Sequence, residues 1–276
     1  MRSLVHPPRV TAAPGRRIGV LTAVAVMLLA AFFLVPHALT HEGVHVGNVG
    51  RSFRQGMAVY WDSGSRDLPR QLDTTVGFWF RFHLVKAGVS ALLLATAVLL
   101  GAVLWRSSRQ RADRPGRMGI VLPGVLVGLL GPFALVGLVA NVQGAAAPFA
   151  SLLPLLTSGG GDGDVAADLP GIRRQVADFP TGRHSPALTM MVRDFALYHA
   201  VLAALATVVA LALTGVCVVL WRRHRVTHEV RSRRALKLAV AATASVAGIA
   251  LVVAVANVTS AAHPAEALAA LLDGGW

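Results

Sequence analysis

Three histidines, His37, His41 and His45, recur every fourth residue, and Glu42 beside the second completes an H-E-x-x-H pattern over 41–45. On a helix this spacing sets imidazoles one turn apart on one face, where they hold zinc while the glutamate activates the bound water. His37, His41 and His45 without Glu42 would instead suit a noncatalytic zinc or copper ion. Both arrangements require the first apolar segment to stay helical past Pro36, which cannot donate to the preceding turn. Gly43 weakens a helix at the decisive turn by about 1 kcal/mol, and no third-ligand motif follows. The reading taken is a solvated helix end with no cofactor. A metal at His37, His41 and His45, with Glu42 as the catalytic group, is the alternative.

A second pair, His83 and His199, occupies equivalent positions near the ends of two apolar segments. Such a pair can ligate a haem or metal if brought face to face, and otherwise anchors the helix ends at the interface. Asn141 and Asn257 read as caps or as hydrogen-bonding glue between helices, and Lys86 as a side chain that snorkels to the surface. Walker, Rossmann, nucleophile-elbow and CxxC motifs are absent from the sequence.

The elements that carry these residues follow from composition. The 276 residues are 55% hydrophobic and 14% charged, with a mean hydropathy of +0.61, which excludes an ordinary soluble globule, a disordered chain and, with Cys217 alone, a disulfide scaffold. Five stretches, 18–35, 82–105, 118–142, 195–221 and 238–258, are long and apolar enough to cross a hydrocarbon layer of about 30 Å. Sixteen of the 26 basic residues fall in 1–17, 106–117 and 222–237, so the positive-inside rule puts these segments and the N-terminus in the cytoplasm and the C-terminus outside. The inner segments then carry +14 and the outer ones −1. The formal charge of +13 is therefore topological and calls for no nucleic-acid partner. Trp105 and Trp221 sit at the inner interface, and Phe78, Trp79, Phe80 and Tyr198 at the outer one, as an aromatic belt does.

The chain also matches itself without a gap at an offset of 116 residues. Residues 134–148 share ten of fifteen identities with 250–264, Asn141/Asn257 and Pro148/Pro264 among them. The same offset pairs His83 with His199 and Val103-Leu104-Trp105-Arg106 with Val219-Leu220-Trp221-Arg222. Identities in Asn, Pro, His, Trp and Arg do not arise from apolar composition, so the expected fold is an all-α membrane protein of an N-terminal span plus two tandem helical hairpins in parallel orientation. The expected division is 1–36 as N-terminus and first span, 37–81 as an outer loop, 82–158 as hairpin 1, 159–194 as a flexible outer loop, and 195–276 as hairpin 2 with its outer tail. Each hairpin should end in a short interfacial helix, 148–156 and 264–272, with Pro154 shortening the first. Ser158 to Asp164 reads as a linker. In the third span Gly124, Gly128, Gly131 and Gly137 offer a small-residue face for close helix approach.

Gly15-Arg16-Arg17-Ile18 has the form of a twin-arginine start, but the apolar run that follows is longer than a signal h-region and leads to a poor cleavage site at 36–40, so the segment is taken as an uncleaved anchor. Only Lys86 and Lys237 of the 26 basic residues are lysine. In that usage, in its Gly-Arg-Arg start and in its Ala-Asn-Val…Pro segments the chain resembles uncharacterised multispan integral membrane proteins of GC-rich actinobacteria. The resemblance implies a plasma-membrane location and no particular activity. The functional expectation is a noncatalytic plasma-membrane protein acting through its outer loops as scaffold or interaction surface, its partners being the bilayer and another membrane or cell-envelope protein. A metal-dependent membrane enzyme is the alternative, and a transporter comes third because no acidic residue lies in the five spans.

Overall fold

The computed structural model describes residues 14–110, 118–157, 164–179, 182 and 184–274. Among these the chain is helical: α1 (Pro14–His37), α2 (Val49–Ser63), α3 (Arg70–Gln110), α4 (Met118–Ala146), α5 (Pro148–Leu152) continued by a 3-10 turn (Leu153–Leu156), α6 (Asp164–Ala177), α7 (Pro186–Val226), α8 (Val230–Ala262) and α9 (Pro264–Leu272). Helices α1, α3, α4, α7 and α8 are the five long and apolar enough to cross a membrane. Side chains such as Leu211, Leu238 and Val252, each more than two-thirds exposed, need lipid around them. The protein is an all-α membrane protein.

The two halves correspond end for end. Helices α3 and α7 are both 41 residues long and begin 116 residues apart, and α4 and α8 end 116 residues apart. Each is followed by a short Pro-initiated segment, 148–156 or 264–272. In the first, Pro154 lacks the N–H an α-turn needs, and the helix tightens to 3-10 after Leu152. The bounds of α3 and α7 thus match throughout, and those of α4 and α8 at their ends.

The chain divides into two compact units. The first, 1–38 with 85–138, is α1 packed against the antiparallel α3 and α4. Ala25, Leu93, Leu130 and Ala134 form its centre. Phe32 of α1 meets Phe133 edge-on at 5.2 Å, and the Lys86 ammonium lies 4.3 Å from the centre of the Phe32 ring, a cation–π contact rather than a free snorkel. Of the glycines expected to bring helices together, Gly137 does so: a Cβ there would stand 3.1 Å from Ser90 Oγ. Gly124, Gly128 and Gly131 face open space, so the small-residue face is confined to one position.

The second unit, 39–84 with 139–276, holds the paired α7 and α8 and a helical cap. The cap is built from α2, α5, α6, α9 and the first turns of α3 and α7. The stretches read from sequence as outer loops are therefore largely helical, α2 and α6 lying inside them; Ser158 to Gly163 of the expected linker lie outside the described residues. Val49, Phe53, Met57 and Tyr60 fall on one face of α2 and are buried against Leu72, Phe78, Phe149, Leu152, Ile172 and Leu268. On α6, Leu169 and Val176 stand at the same offset of 116 from Phe53 and Tyr60, and Ile172 at that offset from Gly56. Polar contacts finish the cap. Arg54 donates to the Leu155 carbonyl at 3.2 Å and Arg173 to the Leu272 carbonyl at 2.5 Å, so each amphipathic helix caps the terminal segment of its own repeat. Asp194 accepts from the Ala150 N–H at 2.7 Å, satisfying a first-turn donor of α5 from α7.

Gly56 marks the closest approach in the cap. A Cβ there would lie 3.0 to 3.1 Å from Leu72 Cβ, Cα and N, atoms that cannot move aside, whereas a Cβ on Gly50 would meet only side-chain atoms at 3.5 Å or more. Gly56→Ala should therefore lower the melting temperature by several degrees despite the gain of about 1 kcal/mol in helix propensity. Gly50→Ala should leave it unchanged or raise it. Thermal melts of the detergent-solubilised protein check both.

Burial first, and the charge of Asp67 second, hold the Tyr60 phenol above its ordinary pKa of 10.0. Because the folded value exceeds the unfolded one, this group contributes undiminished stability below pH 10, and that contribution falls as the pH rises from about 10 through the folded value. In a Tyr198→Phe variant, which leaves Tyr60 as the single tyrosine, ultraviolet titration of the phenolate should show a midpoint above 10 that drops to the ordinary value in denaturant.

Candidate functional site

Pro36 and the end of α1 decide the fate of the histidine stripe. Helix α1 stops at His37, whose Nδ1 donates to the Phe33 carbonyl at 2.6 Å. The next residues form a tight turn in which His41 and Val44 exchange both backbone hydrogen bonds at 2.9 Å. Its two central residues, Glu42 (φ 45°) and Gly43 (φ 82°), are left-handed, the signature of a two-residue hairpin turn that Gly accepts freely and Glu does not. The helix that an H-E-x-x-H zinc motif requires is thus absent over 41–45, and this corrects the helical placement of His41, Glu42 and His45. Their side chains separate. Arg81 donates to His41 Nδ1 at 2.9 Å, His45 Nδ1 accepts from the Gly47 N–H at 3.1 Å, and Glu42 turns to Thr74 (3.3 Å) and Arg70 (3.6 Å). Among the described residues no three His, Cys, Asp or Glu side chains gather as metal ligands.

His83 and His199 do find polar partners, each within its own hairpin. His83 Nδ1 lies 2.9 Å from Asn141 Oδ1, and His199 Nδ1 lies 2.7 Å from Asn257 Oδ1, so the Asn residues are the glue the sequence suggested. Asn257 Nδ2 donates to the Val253 carbonyl at 2.8 Å, which turns Oδ1 toward the ring and makes His199 Nδ1 the donor. Aromatic rings flank both histidines at the same two positions: Trp79 and Phe82 at 4.8 and 5.5 Å, Phe195 and Tyr198 at 4.5 and 5.5 Å. Gly144 lies against the His83 ring, and a Cβ there would come within 2.7 Å of it. The pairs fasten the cap end of each hairpin.

A concavity of the unit lies elsewhere. An open groove of about 900 Å³ runs between the 42–44 turn, α2 and the first turns of α3. Glu42 stands in it with Arg51 and Gln55 of α2 and Arg70, Gln71 and Thr74 of α3. The Gln71 amide donates to Gln55 Oε1 at 3.3 Å, bridging the two helices that supply the arginines. The Gly64 cap (φ 62°) ends α2 and lets the chain double back, bringing residues 51–55 and 70–74 together. Only Glu42 among these residues was singled out in the sequence, because no short motif joins an Arg on one helix to an Arg 19 residues later on another.

Comparison with protein-family models, with curated proteins and with solved structures gives no match. The fold and its groove therefore define a class and no more: an integral membrane protein with five long apolar helices and a helical cap in its second unit.

Replacing His83 or Asn141 by Ala should each reduce stability, with a coupling of about 0.6 kcal/mol for a hydrogen bond between membrane helices. Gly144→Ala should be destabilising in the native protein and nearly neutral in a His83→Ala background, where the ring it meets is gone. Equal effects in both backgrounds, measured by thermal melts, would contradict this packing.

Proposed function

We propose that this is a noncatalytic plasma-membrane protein that works through its cap as an extracytoplasmic interaction module, with the long helices as its anchor. The observation that carries the reading is that α2, α5 and α9, with the first turns of α3, form a layer with its own core of Phe53, Phe78, Phe149, Leu152 and Leu268, and leave an open groove on it. A chain that needed only to connect spans would not require such a core. The concentration of basic residues in 1–17, 106–117 and 222–237 supports a cytoplasmic position for the opposite end and an outward cap. The partner class is another membrane or cell-envelope component. Transport is less well supported, since no carboxylate lies within the apolar stretches, and the metal-enzyme reading has lost its helix.

Two measurements test the proposal. In a Cys217→Ala background, Arg66→Cys should react with a membrane-impermeant maleimide in intact cells, and His228→Cys only after the membrane is opened. A photocrosslinking residue at exposed Gln55 should give discrete adducts in cells that a probe at lipid-facing Leu211 does not. Reversed labelling, or identical adducts at both positions, would refute it.

A further inference from the structure

The groove says what kind of ligand it suits. Its lining includes two guanidiniums, Arg51 and Arg70, against one carboxylate, Glu42, and no aromatic ring. The groups that stand out for holding a ligand there are the guanidiniums and amides, which act by charge and hydrogen bonds. Arg51 makes no ion pair among the described residues, and its side chain is exposed. Arg70 is paired with Glu42, but at 3.6 Å and with the Arg70 side chain 90% exposed, which is too long for a charge-assisted hydrogen bond. Glu42 reaches that position from a left-handed backbone (φ 45°) that its side chain disfavours, with Thr74 as its other partner at 3.3 Å. The groove thus already holds one carboxylate, loosely, on a residue of its own chain.

Distance along α3 separates two sources of such an anion. Arg70 precedes Phe82, where the apolar stretch begins, by 12 residues, about 18 Å of helix. Counted from Phe80, an exposed ring of the belt, it is still about 15 Å away. A headgroup layer is about 6 Å deep on each side, and this count favours a soluble anion over a lipid phosphate at Arg70.

We propose that the groove binds a soluble, metabolite-sized polycarboxylate through Arg51 and Arg70, and that Glu42 is the internal competitor it displaces. The proposal rests on the reading of the cap as a binding module and names its ligand class. Citrate is the probe, titrated calorimetrically into the purified full-length protein at fixed ionic strength. Saturable binding is expected, about tenfold weaker in Arg51→Gln and in Arg70→Gln, and several-fold tighter in Glu42→Gln, with the melting temperatures of the ligand-free variants unchanged. No saturable binding in either the native protein or Glu42→Gln overturns the proposal, as does undiminished binding in an Arg51→Gln, Arg70→Gln double variant or weaker binding in Glu42→Gln. In nanodiscs of phosphatidylglycerol or phosphatidylcholine at 0.15 M salt, where charges are screened over about 8 Å, citrate affinity should be the same. A loss of more than tenfold in phosphatidylglycerol would assign the groove to a lipid headgroup instead. Because these titrations use purified protein, they do not depend on which way the cap faces in cells. A negative result here leaves the interaction module standing, and reversed labelling in cells leaves the groove chemistry standing.

Discussion

A 41-residue helix is about 61 Å long, and a hydrocarbon layer is about 30 Å thick. The surplus on α3 and α7 governs the cap end of the protein. Had the surplus turns been polar all round they could have stood in water, but Leu72 and Phe78 on α3 and Leu188 and Met191 on α7 are apolar. They demand cover, and α2, α6, α5 and α9 supply it. The cap is thus a response to helix length: short amphipathic helices that could not hold their shape alone become stable on the overhanging turns.

Junctions between apolar span and cap carry the concentrated polar chemistry. Trp79 Nε1 donates to Ser151 Oγ at 2.8 Å and the Gln143 amide to the Tyr198 carbonyl at 3.2 Å, beside the two His–Asn pairs. Polar groups at this depth meet little water, so partners inside the protein satisfy them. Each such bond contributes modestly. Their value is in register: a hairpin whose His and Asn must meet cannot slide by a turn.

Legibility in the sequence tracked the range of the interactions involved. Spans were readable because about twenty apolar residues in a row answer to a single property of the solvent, and the like bounds of α3 and α7 were legible because His, Trp and Arg recur at one spacing. The 148–156 segment, including the effect of Pro154, is likewise local chemistry. Helices α2 and α6 were missed, since their polar faces lower the average hydropathy and their apolar faces make sense only against Leu72, Phe149 or Leu268, far along the chain. The H-E-x-x-H pattern is the opposite case. A helix over the five residues 41–45 needs the first apolar segment to continue past Pro36, whereas Gly43 and the end of α1 favour a turn. The Arg51–Arg70 groove exists only once α2 has doubled back onto α3.

Gly144 also bears on how the two halves can exchange sequence. Its counterpart at the repeat spacing is Ser260, whose hydroxyl donates within α8 to the Ala256 carbonyl at 3.2 Å. Moving the second copy's segment into the first would bring a Cβ to within 2.7 Å of the His83 ring, while moving the first copy's glycine into the second introduces no such contact. Exchange between the two matching segments is therefore unequal in its consequences. One direction of transfer damages the receiving hairpin, so the segments are not interchangeable despite their likeness.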